Sequence, residues 1–109
     1  MLLPEPQATK ARLEQHVKLF DSRDKNLQLG VVAFRKKILS EPHRKDQVAK
    51  FIKAYNIAVD SINSRGVQHY ARIITKYTGA DAKTISNLPK LKYEHAMEPR
   101  RRDLAVAQK

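Results

Sequence analysis

The stretch ARIITKYTGADAKTISNLPK, residues 71–90, decides the fold of this chain. It reads as a helix, a glycine turn and a second helix. The first helix is predicted over residues 67–78, with Val67, Tyr70, Ile74 and Tyr77 on one side. Gly79 then suits the left-handed backbone that ends many helices, because it has no Cβ to clash there. Asp81 stands at the N-cap of a second helix, residues 82–88, where a carboxylate accepts from the unpaired backbone N–H groups of the first turn. Pro89 ends that helix soon after, since the residue before a proline avoids the helical region. Two helices meeting steeply across a tight turn need apolar residues at fixed offsets. Ile74, Ala80, Ile85 and Leu88 form that inward set. The outward set is Asp81, Ala82, Lys83, Ser86, Asn87 and Lys90.

Helical periodicity continues toward the N-terminus. Residues 42–63 give the clearest pattern: Val48, Ile52, Tyr55, Val59 and Ile62 are spaced 4, 3, 4 and 3. They fall within roughly 80° of one another at about 100° per residue, so this helix is expected to be the central packing element. Lys50 and Lys53 lie opposite, with Ile57 between them. Ser64, Arg65 and Gly66 break the helix at its far end. Pro42 suits its first turn, and Ser40, Glu41 and Pro42 end the preceding element. That element is predicted as a helix over residues 24–39, with Leu27, Val31, Phe34 and Ile38 on one stripe. Gly30 weakens it, and residues 29–34 also read as a strand. A first helix is predicted over residues 7–20 from Leu13, Val17 and Phe20, and residues 21–24 break it. The expected fold is all-α: a compact bundle of four to five helices in one domain, residues 8–92. An extended arm precedes it at residues 1–7, which hold two of the five prolines. A basic tail follows at residues 93–109, with a short helix from Asp103 onward.

Composition bounds the function. The chain has 109 residues, enough for one modest hydrophobic core. A hydrophobic fraction of 41% is too high for a disordered chain. Lys and Arg number 22 against 11 Asp and Glu, a formal net charge of +11 that should attract polyanions in a salt-dependent way. There are no cysteines, which excludes disulfides, thiolate catalysis and Cys-ligated zinc. The N-terminus lacks the charged and apolar regions of a secretory signal, and no apolar run reaches membrane-spanning length. An intracellular protein, cytoplasmic or nucleoid-associated, is expected.

Residues 74–86 resemble the helix-turn-helix of bacterial and phage repressors of the lambda and lac type. The resemblance rests on Gly79 at the turn, the capping Asp81, and Thr84, Ile85 and Ser86 in the second helix. It covers about a fifth of the chain. Thr75 stands where the family prefers Ala or Gly, Ala80 is smaller than the usual Val, and Pro89 shortens the second helix. The resemblance implies that the second helix enters the major groove of DNA, that Lys83, Ser86 and Asn87 read bases, and that Tyr77 and Ile85 pack the two helices together. The same residues also read as a plain helical hairpin with a glycine C-cap and a proline stop.

Basic clusters are the second signal. Arg72, Lys76, Lys90 and Lys92 surround the motif, and Arg100, Arg101 and Arg102 form a run in the polar tail that can follow phosphates or enter a minor groove. Arg35, Lys36 and Lys37, with Arg44 and Lys45 across the turn, can form a phosphate patch, although cations near helix C-termini are favoured by the dipole alone. Tyr93, beside Lys90 and Lys92, is the aromatic that reads as a stacking candidate; most of the others fall on apolar helical faces. His16, His43, His69 and His95 are scattered without metal-ligand spacing. Glu94 and Glu98 flank His95, but Pro99 follows and the group reads as a solvated turn. No phosphate-cradling loop and no nucleophile–base pattern is present, so no catalysis, cofactor, metal or small-molecule substrate is expected.

Two functions fit. In one, the chain is a small DNA-binding regulator or accessory factor, acting as a homodimer on two half-sites. In the other, it is a basic helical subunit of a larger assembly, contacting RNA or DNA backbone or a partner protein without reading sequence. The even spread of charge favours the second: residues 1–64 carry 12 basic and 7 acidic side chains, and residues 65–109 carry 10 and 4.

Overall fold

The computed structural model describes residues 1–25 and 30–108. Its regular elements are α-helical, and among the described residues there is no strand. Six helices follow in order: α1 Gln7–Leu13, α2 Lys36–Ser40, α3 Pro42–Arg65, α4 Ala71–Thr78, α5 Ala82–Ser86 and α6 Arg101–Ala107. Short 3₁₀ turns occupy Ser22–Lys25 and Val67–Tyr70. No helix among the described residues is long and apolar enough to cross a membrane.

The chain divides into two compact units. Unit 1 comprises Met1–Leu19 and Ala58–Glu94; unit 2 comprises Phe20–Ile57 and His95–Lys109. In unit 1 the hub is α5, although it has only five residues. It packs against α1, α4 and the 3₁₀ turn at Val67–Tyr70. Ile85 is 2% exposed, and Thr84 and Thr9 are equally buried. Val59, near the end of α3, is also buried. This corrects the expectation that residues 42–63 form the packing centre. That helix exists, and it runs two residues further, to Arg65. Its side chains meet loops, however: in unit 1 Asn63 donates to the Tyr93 carbonyl at 2.8 Å and accepts from the Tyr93 N–H at 2.9 Å.

Four predicted helices are shorter than expected: α4 starts at Ala71 instead of residue 67, α5 ends at Ser86 instead of residue 88, and the first two differ more. α1 stops at Leu13 and Gln15 takes a left-handed backbone, φ 70°. Val17 and Phe20, the rest of its stripe, are exposed. A short helix gains little without packing, so the pattern alone does not carry it on to residue 20. At its start, Pro4 and Glu5 belong to the helix entry instead of an extended arm: the Pro4 carbonyl accepts from Ala8 N–H at 2.9 Å, and Glu5 Oε2 accepts from Thr9 N–H at 3.1 Å. Among the described residues of the second predicted helix, residues 30–35 are irregular and the α-helix is Lys36–Ser40. Gly30 followed by β-branched Val31 and Val32 weakens a helix there. Leu27 lies outside the described residues. The break before α3 falls where expected, with Glu41 extended ahead of Pro42.

In unit 2, Phe34 meets Phe51 edge to face at 5.9 Å. Asn56 Oδ1 accepts from the Ala96 N–H at 2.8 Å. The tail is helical from Arg101, two residues earlier than expected.

If Ile85 is the keystone of unit 1, truncating it should be severe while shaving one methyl should not. Ile85→Ala is expected to cost about 2–5 kcal/mol and Ile85→Val about 0.5–1.5 kcal/mol. Urea unfolding followed by circular dichroism measures both.

Candidate nucleic-acid interface

The turn between α4 and α5 is built from the residues that announced it. Gly79 adopts φ 72° and ψ 5°, and its N–H closes the helix on the Thr75 carbonyl at 2.9 Å. Thr78 assists: its hydroxyl donates to the Ile74 carbonyl at 2.7 Å and accepts from Ala80 N–H at 3.2 Å. Asp81 is extended, and its Oδ1 accepts from Thr84 N–H at 2.7 Å, the N-cap bond of α5. Hydrogen bonds from Thr84 hold the Asp81 carboxyl below its ordinary pKa, and the charges of Lys10 and Lys83 add to this. Inward of the turn, Ile85 is buried and Ile74, Ala80 and Leu88 are half-buried. Tyr77 corrects the reading of it as a packing residue. It is 76% exposed, with Lys76 Nζ 5.3 Å from its ring centroid.

The outward residues have distinct states. Lys83, Ser86 and Asn87 are all exposed on α5 and its C-terminal cap. Ser86 Oγ donates to the Lys83 carbonyl at 3.0 Å, and Asn87 Nδ2 donates to the same carbonyl at 2.8 Å. α5 is so short that these side chains serve its own open end. The Asn87 carbonyl also accepts from Arg12 at 3.3 Å, tying α1 to this end. Arg12 had no place in the sequence reading; only its spacing before Leu13 on α1 hinted at it. Arg72, Lys76, Lys90 and Lys92 belong to unit 1 with α5 and are exposed.

The remaining phosphate-contact candidates belong to unit 2. Arg35, Lys36 and Lys37 are exposed, and Arg44 lies 3.8 Å from Glu41. The arginine run does not stand clear in a polar tail. Arg100 pairs with buried Asp103 at 2.6 Å, and Arg102 approaches its other oxygen at 3.5 Å. Arg101 is exposed. Tyr93, the stacking candidate, has its backbone bound to Asn63 and is 37% exposed as a residue.

A Cβ at Gly79 would meet nothing within 4 Å, so substitution there is purely a backbone matter. Gly79→Ala is expected to cost about 1–2 kcal/mol, and Gly79→Asn less, in thermal or urea unfolding. Asp81 supplies a pH signature. Its folded pKa lies below the unfolded one, so its contribution is present above about pH 4 and fades as pH falls through the depressed value. Asp81→Asn should keep the cap and remove that acid dependence, while Asp81→Ala should lose stability at neutral pH; unfolding midpoints at both pH extremes separate the two. No protein-family model, curated protein or solved structure shows significant similarity to this chain.

Proposed function

We propose that this chain binds nucleic acid, double-stranded DNA above all, through α4, the Gly79–Asp81 turn and α5 acting as a helix-turn-helix. The observation that supports this best is the turn itself. Gly79 is left-handed, Asp81 caps α5, and Ile85 is buried behind them. Lys83 is exposed on α5, and Arg72, Lys76, Lys90 and Lys92 are exposed in the same unit. Such a surface meets phosphates by charge and presents one helix to a groove. The protein would act as an intracellular, non-enzymatic regulator or accessory factor, as a homodimer or within a larger nucleoprotein complex.

One observation favours a second reading, in which backbone is tracked and bases are not read. The Ser86 and Asn87 side chains already donate to the Lys83 carbonyl, so base contact requires them to exchange partners. In the first reading sequence preference rests chiefly on Lys83, since contacts of lysine with guanine edges are of the kind that discriminates bases.

A salt-series titration of the full chain against random duplex DNA and random RNA, with sequencing of the bound pool, tests both. In the first reading a DNA motif is enriched, and Lys83→Ala or Asn87→Ala relaxes it by about 1–3 kcal/mol at the contacted position. In the second, no motif emerges, while Arg72→Ala and Lys76→Ala each reduce the salt slope by about 0.9. Absence of binding to either pool at moderate salt overturns both readings.

A further inference from the structure

Unit 2 carries a surface that the nucleic-acid reading leaves unused. The apolar stripe of α3 runs through both units. In unit 1 its Val59 is buried; in unit 2 its Phe51, Ile52 and Tyr55 are 49%, 37% and 41% exposed, and Val48 is half-buried. Phe34 extends the same patch by its edge-to-face contact with Phe51. Among the described residues of this unit no apolar side chain is fully buried. A helical stripe of this kind ordinarily faces a partner, and contiguous apolar surface marks interaction sites.

We propose that this face docks an acidic amphipathic helix of a partner protein. The pattern fits a helix: Val48, Phe51, Ile52 and Tyr55 stand at i, i+3, i+4 and i+7, two turns of ridge that interleave with a facing helix. The charge selects the partner. Residues 35–53 carry seven Lys or Arg against Glu41 and Asp46. Both acids are already engaged, Glu41 by Arg44 at 3.8 Å and Asp46 by Lys50 at 2.9 Å. Exposed Arg35, Lys36 and Lys37, which follow Phe34 in the chain, and Lys45, one turn before Val48 on α3, give the patch a cationic surround. A second copy would set this surround against itself, since a twofold contact pairs like with like. Val48 and Ile52 offer no stacking surface to bases. Side chains half-covered by their own chain make a shallow seat for a narrow element and not a row of anchors for lipid.

The test is a selection from a random peptide library displayed on phage, run against the full-length protein, followed by anisotropy titration of the enriched peptides. The expected peptides are net acidic with apolar anchors three and four residues apart. Their affinity should fall by about tenfold or more in Phe51→Ala and in Lys45→Glu. Ile57→Ala, on the opposite side of α3, should leave it unchanged; circular dichroism confirms that each variant folds, and the surface change Lys45→Glu decides the matter if Phe51→Ala does not. Failure to enrich any peptide, enrichment of basic or uncharged ones, or equal losses in Ile57→Ala overturns the proposal. So does Phe51-dependent binding to phosphatidylserine vesicles or to polyuridine in place of the peptides.

Discussion

Unit 1 depends on the burial of one isoleucine by a helix too short to exist alone. A five-residue helix lies far below the length at which isolated helices persist in water. α5 persists because both ends are tied and its inner face is covered. Asp81 satisfies the first turn, Ser86 and Asn87 satisfy a carbonyl of the last, and Arg12 holds the end against α1. Ile85 then contributes what the backbone cannot, by bringing α1, α4 and the turn before α4 onto one point. The polar bonds and the apolar burial are one device, since either alone would leave α5 frayed.

That device sets the chemistry of the proposed interface. The residues that the helix-turn-helix resemblance assigns to base reading are also the residues that finish α5. A longer recognition helix would spend its own backbone bonds on its C-terminus and leave Ser86 and Asn87 to a ligand. Pro89 prevents this by stopping the chain one turn later. Lys83 stands differently: its carbonyl takes the capping bonds while its side chain is exposed.

The parts of this structure that were legible from sequence are those governed by local chemistry. Gly79 and Asp81 were readable because a left-handed residue and an N-cap each select a narrow set of side chains. Pro42 was readable for the same reason. The long stripe of α3 was readable as a helix, but a stripe says that a face wants cover and not what covers it, so the packing centre was misplaced. The helix-turn-helix resemblance implied that Tyr77 packs between the two helices, yet a ring with a hydroxyl can lie outward against Lys76 as easily as inward. The shortened α1 and the irregular residues 30–35 were hidden because their patterns are fair helical patterns that no neighbour completes.

The arginine run shows where charge counting misleads. Three consecutive arginines in a polar segment suggested free phosphate ligands. The fourth residue on, Asp103, is buried, and a buried carboxylate is tolerated only with cations close by. Arg100 and Arg102 supply them, and in doing so they start α6. A phosphate approaching these two side chains would compete with a carboxylate that cannot turn to water for compensation. Arg101 sits between them on the exposed side of the turn, so of the three it is the one whose charge is offered to a ligand at least cost to the fold. The count of 22 Lys and Arg therefore overstates the cations open to a phosphate, since some of the 11 acids that reduce it to a net +11 hold cations of their own.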